Sequence, residues 1–361
     1  MSKSRNLYVD FHVIQTVPPS CINRDDTGSP KSAVYGGVRR ARVSSQSWKR
    51  AVRKDFQENL DESALGIRTK KLVELIANQI VEIDAEKSVE DAQGLAEKVL
   101  TICGLKIKDK ESGALFFMSR KQAHNLAELI LTNPEAEKKV AQSVLNMGHG
   151  IDVALFGRMV ADDPSLNADA SAQVAHAIST HRVENEYDFF VAEDDLSPAD
   201  NAGAGMMGVV EFNSSTLYRY ATVAVHGLLK ELDGNTEVTV KAITEFSRSF
   251  IASMPTGMQN PFAHRTLPDF VVVTVREDQP INMVGAFEKP VQNKGDGYVK
   301  GSISQLTEYT KKVYSSFASE PLKTWVIGEN SQINGERIKI DQLGVFLKEQ
   351  VEWLCESAGA E

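Results

Sequence analysis

The spacing of apolar and polar residues changes along the chain from a strand period to a helical one and back. Residues 6–16 alternate and are rich in β-branched and aromatic side chains, which predicts a strand that ends at Pro18. Residues 62–148 show a helical pattern throughout, in segments at 72–76, 92–100, 120–131 and 134–147. Further strands are predicted at 151–159, 172–183, 209–225 and 270–276, and further helices at about 46–57, 235–253 and 303–317.

These periods predict an α+β protein with two parts. Taken from its two ends, the chain runs strand, helix, strand, strand, helix, strand. This is the split β-α-β order of ferredoxin-like sheets, which RNA-recognition modules use. We therefore expect residues 1–58 and 150–361 to form the sheet domain and residues 59–149 to form an inserted helical lobe.

The net charge of −9 argues against a nucleic-acid partner, but the charge is unevenly distributed. Residues 183–218, the acidic segment, contain eight acidic residues and no Lys or Arg. Residues 31–54, the basic segment, have the opposite composition. Eight like charges so close together repel one another unless an anionic partner offsets them, so the basic segment predicts polyanion binding. It contains no acidic residue and has Lys31, Arg39, Arg40, Arg42, Lys49, Arg50, Arg53 and Lys54.

The predicted helix at 46–57 has two different faces. Ser44 or Ser45 supplies its N-cap. One face is apolar and should dock on the protein, so the opposite face should present its polar side chains outward. Arg forks, hydroxyls and amides suit contacts to phosphates and 2′-hydroxyls. The outward face has Gln46, Lys49, Arg50 and Arg53, and the apolar face has Trp48, Ala51, Val52 and Phe56.

Several classes of protein are not favoured. No uninterrupted apolar stretch approaches the ~18 residues that a membrane span needs. The first five residues lead into a strand pattern and not into an apolar signal segment. Cys21, Cys103 and Cys355 lie far apart, without the spacing of a zinc site or a disulfide framework. We expect a cytoplasmic protein with reduced thiols, no cofactor, no metal site and no membrane partner.

Two patterns that can indicate a dinucleotide site or a metal site give little support for either here. Residues 203–208 spell G-x-G-x-x-G, but an acidic stretch precedes them and a strand pattern follows. The dinucleotide fingerprint needs a strand before it and a helix after it, so we expect a hairpin tip instead. His176 and His181 are five apart on a predicted strand, face opposite ways and cannot share a metal. Most histidines are expected to be structural.

Three pairs of adjacent aspartates leave one alternative open. The pairs are Asp25-Asp26, Asp162-Asp163 and Asp194-Asp195. Adjacent aspartates in loops usually cap turns, whereas a metal-dependent nuclease needs clustered carboxylates. Because the first pair lies beside the basic segment, a ribonuclease that uses Asp25 and Asp26 remains the alternative to an RNA-binding protein.

Residues in and before the basic segment resemble the sequence of a known family. Residues 19–26 (PSCINRDD) and 36–50 (GGVRRARVSSQSWKR) resemble the signature of CasC (Cse-type), the backbone subunit of the type I-E CRISPR Cascade complex. The resemblance spans nearly the whole chain but does not include residues 62–148. Further similar segments lie at 151–159, 175–181, 188–190, 194–196 and 286–289.

The resemblance implies a non-catalytic protein shaped like a hand, with an RNA-recognition-like palm, helical fingers and a β-hairpin thumb at about 188–212. Copies would polymerise head to tail along a CRISPR RNA, together with other Cascade subunits, and present the guide to target DNA. The opposite charges of the basic and acidic segments also suit a head-to-tail contact, which repeats along a line. RNA contacts are implied at Arg24, Lys31, Ser44, Gln46 and Lys49, with Arg50 and Arg53 nearby.

The resemblance also implies an apolar wedge at Met159 and Phe190, next to a displaced RNA base. Arg158 beside it is expected to hold a phosphate. Because adjacent strand residues point to opposite faces, we expect Phe189 to anchor the thumb inward and Phe190 to remain available to the base.

Overall fold

The computed structural model of the chain describes residues 5–160, 163–192, 206–328 and 333–359. Its strands are β1 (Tyr8–Ser20), β2 (Ser32–Tyr35), β3 (Val38–Val43), β4 (Gly66–Thr69), β5 (Ile107–Lys108), β6 (Glu111–Ser112), β7 (Phe116–Ser119), β8 (Ala172–Val174), β9 (Ala177–Ser179), β10 (Glu186–Ala192), β11 (Met206–Ala224), β12 (Phe270–Arg276), β13 (Lys323–Gly328) and β14 (Glu336–Arg337). Its helices are α1 (Ser45–Asn59), α2 (Leu72–Ile83), α3 (Val89–Ile102), α4 (Arg120–Thr132), α5 (Lys138–Leu145), α6 (Ile151–Phe156), α7 (Val225–Glu231), α8 (Thr236–Ala252), α9 (Gln259–Phe262), α10 (Val299–Ser316) and α11 (Ile340–Gly359).

One large mixed sheet organises the molecule. Its strands follow the order β14-β13-β12-β1-β11-β9-β3-β2, and β8 and β10 also pair with β11. Within it, β12, β1, β11 and β8 lie side by side in this order, and neighbouring strands are antiparallel. Along the chain, α1 follows β1 and α8 precedes β12. The predicted strand and helix order of a split β-α-β sheet is therefore present inside a larger mixed α/β fold.

The N-terminal strand is longer than the sequence predicts. β1 continues through Pro18 and Pro19 to Ser20, and the register with β11 shifts between Val17 and Ser20. A bulge accommodates residues that have no N–H to donate, which is why the two prolines do not end the strand.

A hairpin, β2–β3, lies between β1 and α1. Gly36 and Gly37 form its turn with φ of 58° and 77°, the left-handed region that two-residue hairpin turns require. The strand predicted at 172–183 is two short strands, β8 and β9, with Ala175 and His176 between them.

The strand predicted at 151–159 is wrong. Residues 151–156 form the short helix α6, which begins after Gly150 and ends at Gly157, where φ is 75°. Residues 151–155 are all buried, so the helix has no polar face and its sequence cannot be distinguished from a buried strand by period.

The helices predicted between residues 62 and 148 are present as α2 to α5. They pack around a hydrophobic cluster that is separate from the cores of the sheet, and most of its side chains come from α2, α3 and α4. β4 and β7 pair with each other at the edge of this lobe. The cluster includes Leu72, Ile76, Ile80, Val99, Leu100, Leu126, Ile130 and Leu145.

Alternate residues of β1 supply both faces of the sheet. Val9, Phe11 and Val13 point into the hydrophobic core that α8 and α11 cover. Ile14 points into a second core, which α10 and the 3-10 turn at 283–287 cover. Neither α10 nor any other described helix is both long and apolar enough to cross a membrane.

The second face of β1 also buries a carboxyl group. Asp10 is fully buried, and it accepts hydrogen bonds from Tyr220 Oη and from the Ile281 N–H, both at 2.9 Å. Burial raises the pKa of Asp10 to about 6, although these hydrogen bonds oppose the shift.

Asp10→Asn should change how the stability of the protein depends on pH. Because the folded pKa lies above the ordinary value of 3.8, the stabilisation from the protonated carboxyl is fully present below that value and is lost as pH rises through about 6. The free energy of unfolding of the variant, relative to the unsubstituted protein, should therefore rise by about 3 kcal/mol between about pH 4 and pH 7. Urea titrations across this range measure it, and a constant difference would contradict the assignment.

Candidate nucleic-acid interface

Helix α1 is fixed to the sheet by its apolar face. Trp48, Val52 and Phe56 are buried, and the guanidinium of the buried Arg219 on β11 lies 3.8 Å from the centre of the Trp48 ring. The Ser44 side chain caps the helix, accepting a hydrogen bond from the Ser47 N–H at 3.3 Å. The predicted helix, its cap and its buried face are confirmed.

Asn23, in the loop that follows β1, holds two parts of the basic segment in place. The Lys31 N–H donates to the Asn23 carbonyl at 2.9 Å, and the Ser44 N–H donates to Asn23 Oδ1 at 2.8 Å. The Lys31 carbonyl in turn accepts from the Arg42 N–H at 2.9 Å. Lys31, Arg42 and the start of α1 are therefore held in one fixed arrangement.

Three cations of the basic segment converge on His176. Arg42 Nη1 lies 3.2 Å from His176 Nδ1. Partial burial lowers the pKa of His176, and the positive charges of Arg42, Lys31 and Lys49 lower it further. None of the ion pairs between described residues involves these three cations. We call Lys31, Arg42, Lys49 and His176 the cationic cluster.

Sequence reasoning did not place Arg42 and His176 among the residues that contact RNA. His176 is exposed between β8 and β9, whereas His181 is buried and accepts a hydrogen bond from the Thr216 N–H at 3.1 Å. The structural role expected of most histidines therefore holds for His181. The signals that point to them are the position of Arg42 in the basic segment and that of His176 in the similar segment 175–181.

Two cations of the basic segment have structural roles. Arg53 Nε donates to Asp152 at 3.1 Å, and its guanidinium lies 4.5 Å from the centre of the Phe117 ring. Arg40 is fully buried and donates to the carbonyls of Ser179 and Phe287, both at 2.9 Å. The basic segment is thus not wholly without an acidic partner, because Asp152 comes from a distant part of the chain.

The structure contradicts the prediction that Arg158 holds a phosphate. Its side chain is 4% exposed and donates to the carbonyls of Leu166, Leu145 and Phe117, at 2.8, 2.9 and 3.2 Å. Burial lowers its pKa to about 10. Arg158 joins the helical lobe to the rest of the chain, while the adjacent Met159 is 87% exposed.

Strand β10 and residues 206–212 of β11 form a two-stranded ribbon, which we call the arm. Every residue of β10 is exposed, and Phe190 lies opposite Gly208. A Cβ atom at Gly208 would lie 2.4 Å from the Phe190 ring, so this ring covers the glycine. Phe189 is 63% exposed and Phe190 37%, so the expectation that Phe189 points into the core is wrong.

The hairpin tip predicted at residues 203–208 lies largely outside the described residues, as do Asp162, the Asp194-Asp195 pair and the first two glycines of the G-x-G-x-x-G segment. Its third glycine, Gly208, lies within β11. A strand therefore follows the motif, as the sequence predicts, and not the helix of a dinucleotide site.

The first aspartate pair lies in a capped turn. Asp25 Oδ1 accepts hydrogen bonds from the N–H groups of Thr27 and Ser29, both at 3.0 Å. A hydrogen bond from the Thr27 hydroxyl is the main cause that lowers the pKa of Asp25. Within the described ranges no group of three or more His, Cys, Asp or Glu side chains is placed to hold a metal ion. The turn interpretation of Asp25 accounts for its contacts.

Of the remaining predicted RNA contacts, Arg24, Gln46 and Arg50 are exposed. Arg24 and Arg50 line a groove beside α1, and His176 is not part of its lining. Ser44 is buried, and its hydroxyl is occupied by the helix cap.

Comparisons with known proteins agree on one family. The family model described as CT1975-like protein matches residues 9–353. A chain of a solved structure entitled "CRISPR RNA-guided surveillance complex, pre-nicking" is 33% identical, with a TM-score of 0.81, over 94% of this chain and 99% of that one. A chain of another, entitled "CRISPR RNA-guided surveillance complex", is 28% identical, with a TM-score of 0.68 and the same coverage.

A search of curated proteins gave no match. The family model nevertheless covers most of the chain, and the first of the two structures matches it nearly end to end. The resemblance to a Cascade subunit is confirmed, and the chain belongs to the family of CT1975-like proteins.

Proposed function

We propose that this chain is the non-catalytic, guide-RNA-binding backbone subunit of a type I-E CRISPR surveillance complex that acts in antiviral defence. Copies assemble head to tail along the CRISPR RNA, next to other Cascade subunits, and present the guide to target DNA. The family and the similarity to chains of two CRISPR RNA-guided surveillance complexes support this role.

The observation that carries the proposal is the cationic cluster. Lys31, Arg42 and Lys49 converge near His176, and none of them has an ion-pair partner in the described part of the chain. Such a cluster repels itself in the free protein, and phosphates would offset the repulsion. Contacts to phosphate carry no sequence information, which suits a protein that must accept any guide.

The hand-like description of the family fits the parts as follows. The sheet with residues 1–58 and 150–361 is the palm, the lobe at 59–149 the fingers and the arm the thumb. The arm exposes Tyr187, Phe189, Met207 and Val209 by 61–70% each, without a core of its own. Exposed apolar surface of this kind marks a contact site, here a displaced RNA base or a neighbouring copy, with Met159 as a second apolar contact.

Nothing in the arrangement of the described residues favours the ribonuclease alternative. Asp25 is occupied by its own turn. In this proposal Arg24, Gln46 and Arg50 add contacts to those of Lys31 and Lys49, whereas Ser44, Arg53 and Arg158 support the protein itself.

Lys31→Glu combined with Lys49→Glu should abolish stable RNA binding without unfolding the protein, because neither side chain is buried. Removal of one phosphate contact should make the negative slope of log affinity against log salt less steep by about 0.7 for single-stranded RNA. Filter binding across a salt series measures both. The matched control is Lys312→Glu on α10, on the opposite side of the sheet, and RNA bound by the unsubstituted protein should stay full length in Mg²⁺. Unchanged affinity and slope, or cleavage of the RNA, would reject the proposal.

Occupation of the cationic cluster by phosphate should raise the pKa of His176. Its pKa is lowered partly by Arg42, Lys31 and Lys49, and phosphates would neutralise that repulsion. NMR titration of the imidazole with and without RNA measures the shift. In the free protein Lys49→Gln should also raise the pKa of His176, and Lys312→Gln should leave it unchanged. An RNA-bound pKa equal to the free value would place the RNA elsewhere.

Tyr187→Ser combined with Phe189→Ser should prevent ordered arrays on long RNA while the melting temperature stays nearly unchanged. Both side chains are exposed, so their removal costs little folding free energy. Electron microscopy of RNA-bound protein shows the arrays. Phe317→Ser on the exposed end of α10 is the control for removal of an exposed aromatic ring. Normal arrays in the arm variant, or a collapsed melting transition, would show that the arm has another role.

A further inference from the structure

A groove of about 760 Å³ lies beside α1, and His176 is not among the residues that line it. Its walls are the loop after β1, the helix α1 and residues 253–265, and Arg24, Arg50, Lys54 and Arg265 line it. Lys49 and Arg50 are adjacent on α1, so this helix presents one cation to His176 and the next to the groove.

The four groove cations are exposed, and no ion pair between described residues involves them. The groove also has acidic residues, but two of these are already occupied. Asp55 pairs with Arg248 and accepts from the Ser249 hydroxyl, and Asp25 accepts from its own turn. Asp26 and Glu58 are the other acids in the lining, so cations without a partner outnumber acids without one.

The wall formed by residues 253–265 has features that stability alone does not explain. Ser253 Oγ and His264 Nδ1 are buried in it and have no hydrogen-bond partner among the described residues. Met258 and Ala263 adopt the left-handed conformation, with φ of 48° and 45°, which costs free energy in any residue other than glycine. Unsatisfied polar groups and backbone strain cluster at functional sites.

The same wall contacts both parts of the proposed RNA interface. A Cβ atom at Gly257 would lie 2.4 Å from the Ile22 carbonyl, so this segment packs directly on the chain that leads to Arg24. The Phe262 ring lies 5.8 Å from the Phe212 ring at the base of the arm. The groove is thus bounded by the loop of Arg24 on one side and leads towards the arm on the other.

We propose that this groove binds the sugar–phosphate backbone of the RNA after it leaves the cationic cluster, with Lys54 and Arg265 as phosphate contacts. The inference rests on the proposed function and extends the RNA path around α1 to residues that the family resemblance does not assign. Cations without an acidic partner, in a polar groove on the same helix as the cluster, favour phosphodiesters over an acidic protein segment.

The test is a salt series of RNA binding by Lys54→Glu combined with Arg265→Glu. An oligonucleotide too short for two copies reports the groove of a single molecule. The slope of log affinity against log salt is negative, and it should become less steep by about 1.4, because two contacts contribute about 0.7 each. Lys54→Gln with Arg265→Gln should change it in the same direction, and Lys312→Glu should not change it. Both groove residues are exposed, so the melting temperature should stay the same.

The results that would overturn the inference can be told apart. If the Lys31 and Lys49 double variant fails to bind the short RNA but the groove variants bind it normally, the groove lies off the RNA path and the proposed function stands. Absence of arrays on long RNA with unchanged binding of short RNA would assign the groove to a contact between copies. If the Lys31 and Lys49 double variant also binds normally, the proposed function itself fails.

Discussion

Strand β11 changes partner in its middle, and the position of the candidate interface depends on that change. β1 pairs with β11 as far as Asn213, and β10 pairs with it from Phe212 outward. At this point β1 ends in a bulge and the chain turns into the loop of Asn23 and Arg24. The inner half of β11 is therefore a buried strand of the sheet, and its outer half is the arm. Loop and arm therefore begin at the same place along β11.

The distribution of charge follows from the same geometry. Helix α1 packs by Trp48 against Arg219 of β11, so the exposed cations of this helix, such as Arg50, face away from the sheet. Near the end of the acidic segment, hydrogen bonds from Ser29 and then Asn185 lower the pKa of Glu211 at the base of the arm. These donors are uncharged, and among the described residues no ion pair joins the basic segment to the acidic segment.

Local patterns predicted the parts of the fold that local physics controls. α1 with its Ser44 cap, α8 after Asn235 and β12 over 270–276 lie where period and capping place them. The mistakes concern burial set by distant residues. Arg40 and Arg158 resemble surface cations in sequence, yet carbonyls from remote segments surround them. α6 is buried along nearly its whole length and so shows no helical period. The exposure of Phe189 depends on the pairing of β10 with a strand that has already left the sheet, which no local pattern contains.

The central place of β1 in the sheet has a consequence for synthesis of the chain. Its two neighbours, β11 and β12, follow far along the sequence, as the pairs Tyr8↔Ala224 and Tyr8↔Arg276 show. On the ribosome this apolar strand therefore remains unpaired for some time. The helical lobe can already collapse, because its contacts are mostly within itself. β1 has both of its neighbours only after residues 206–276 have been made. Long-range pairing of this kind makes folding slow, and until it forms the unpaired edges of β1 are exposed to aggregation.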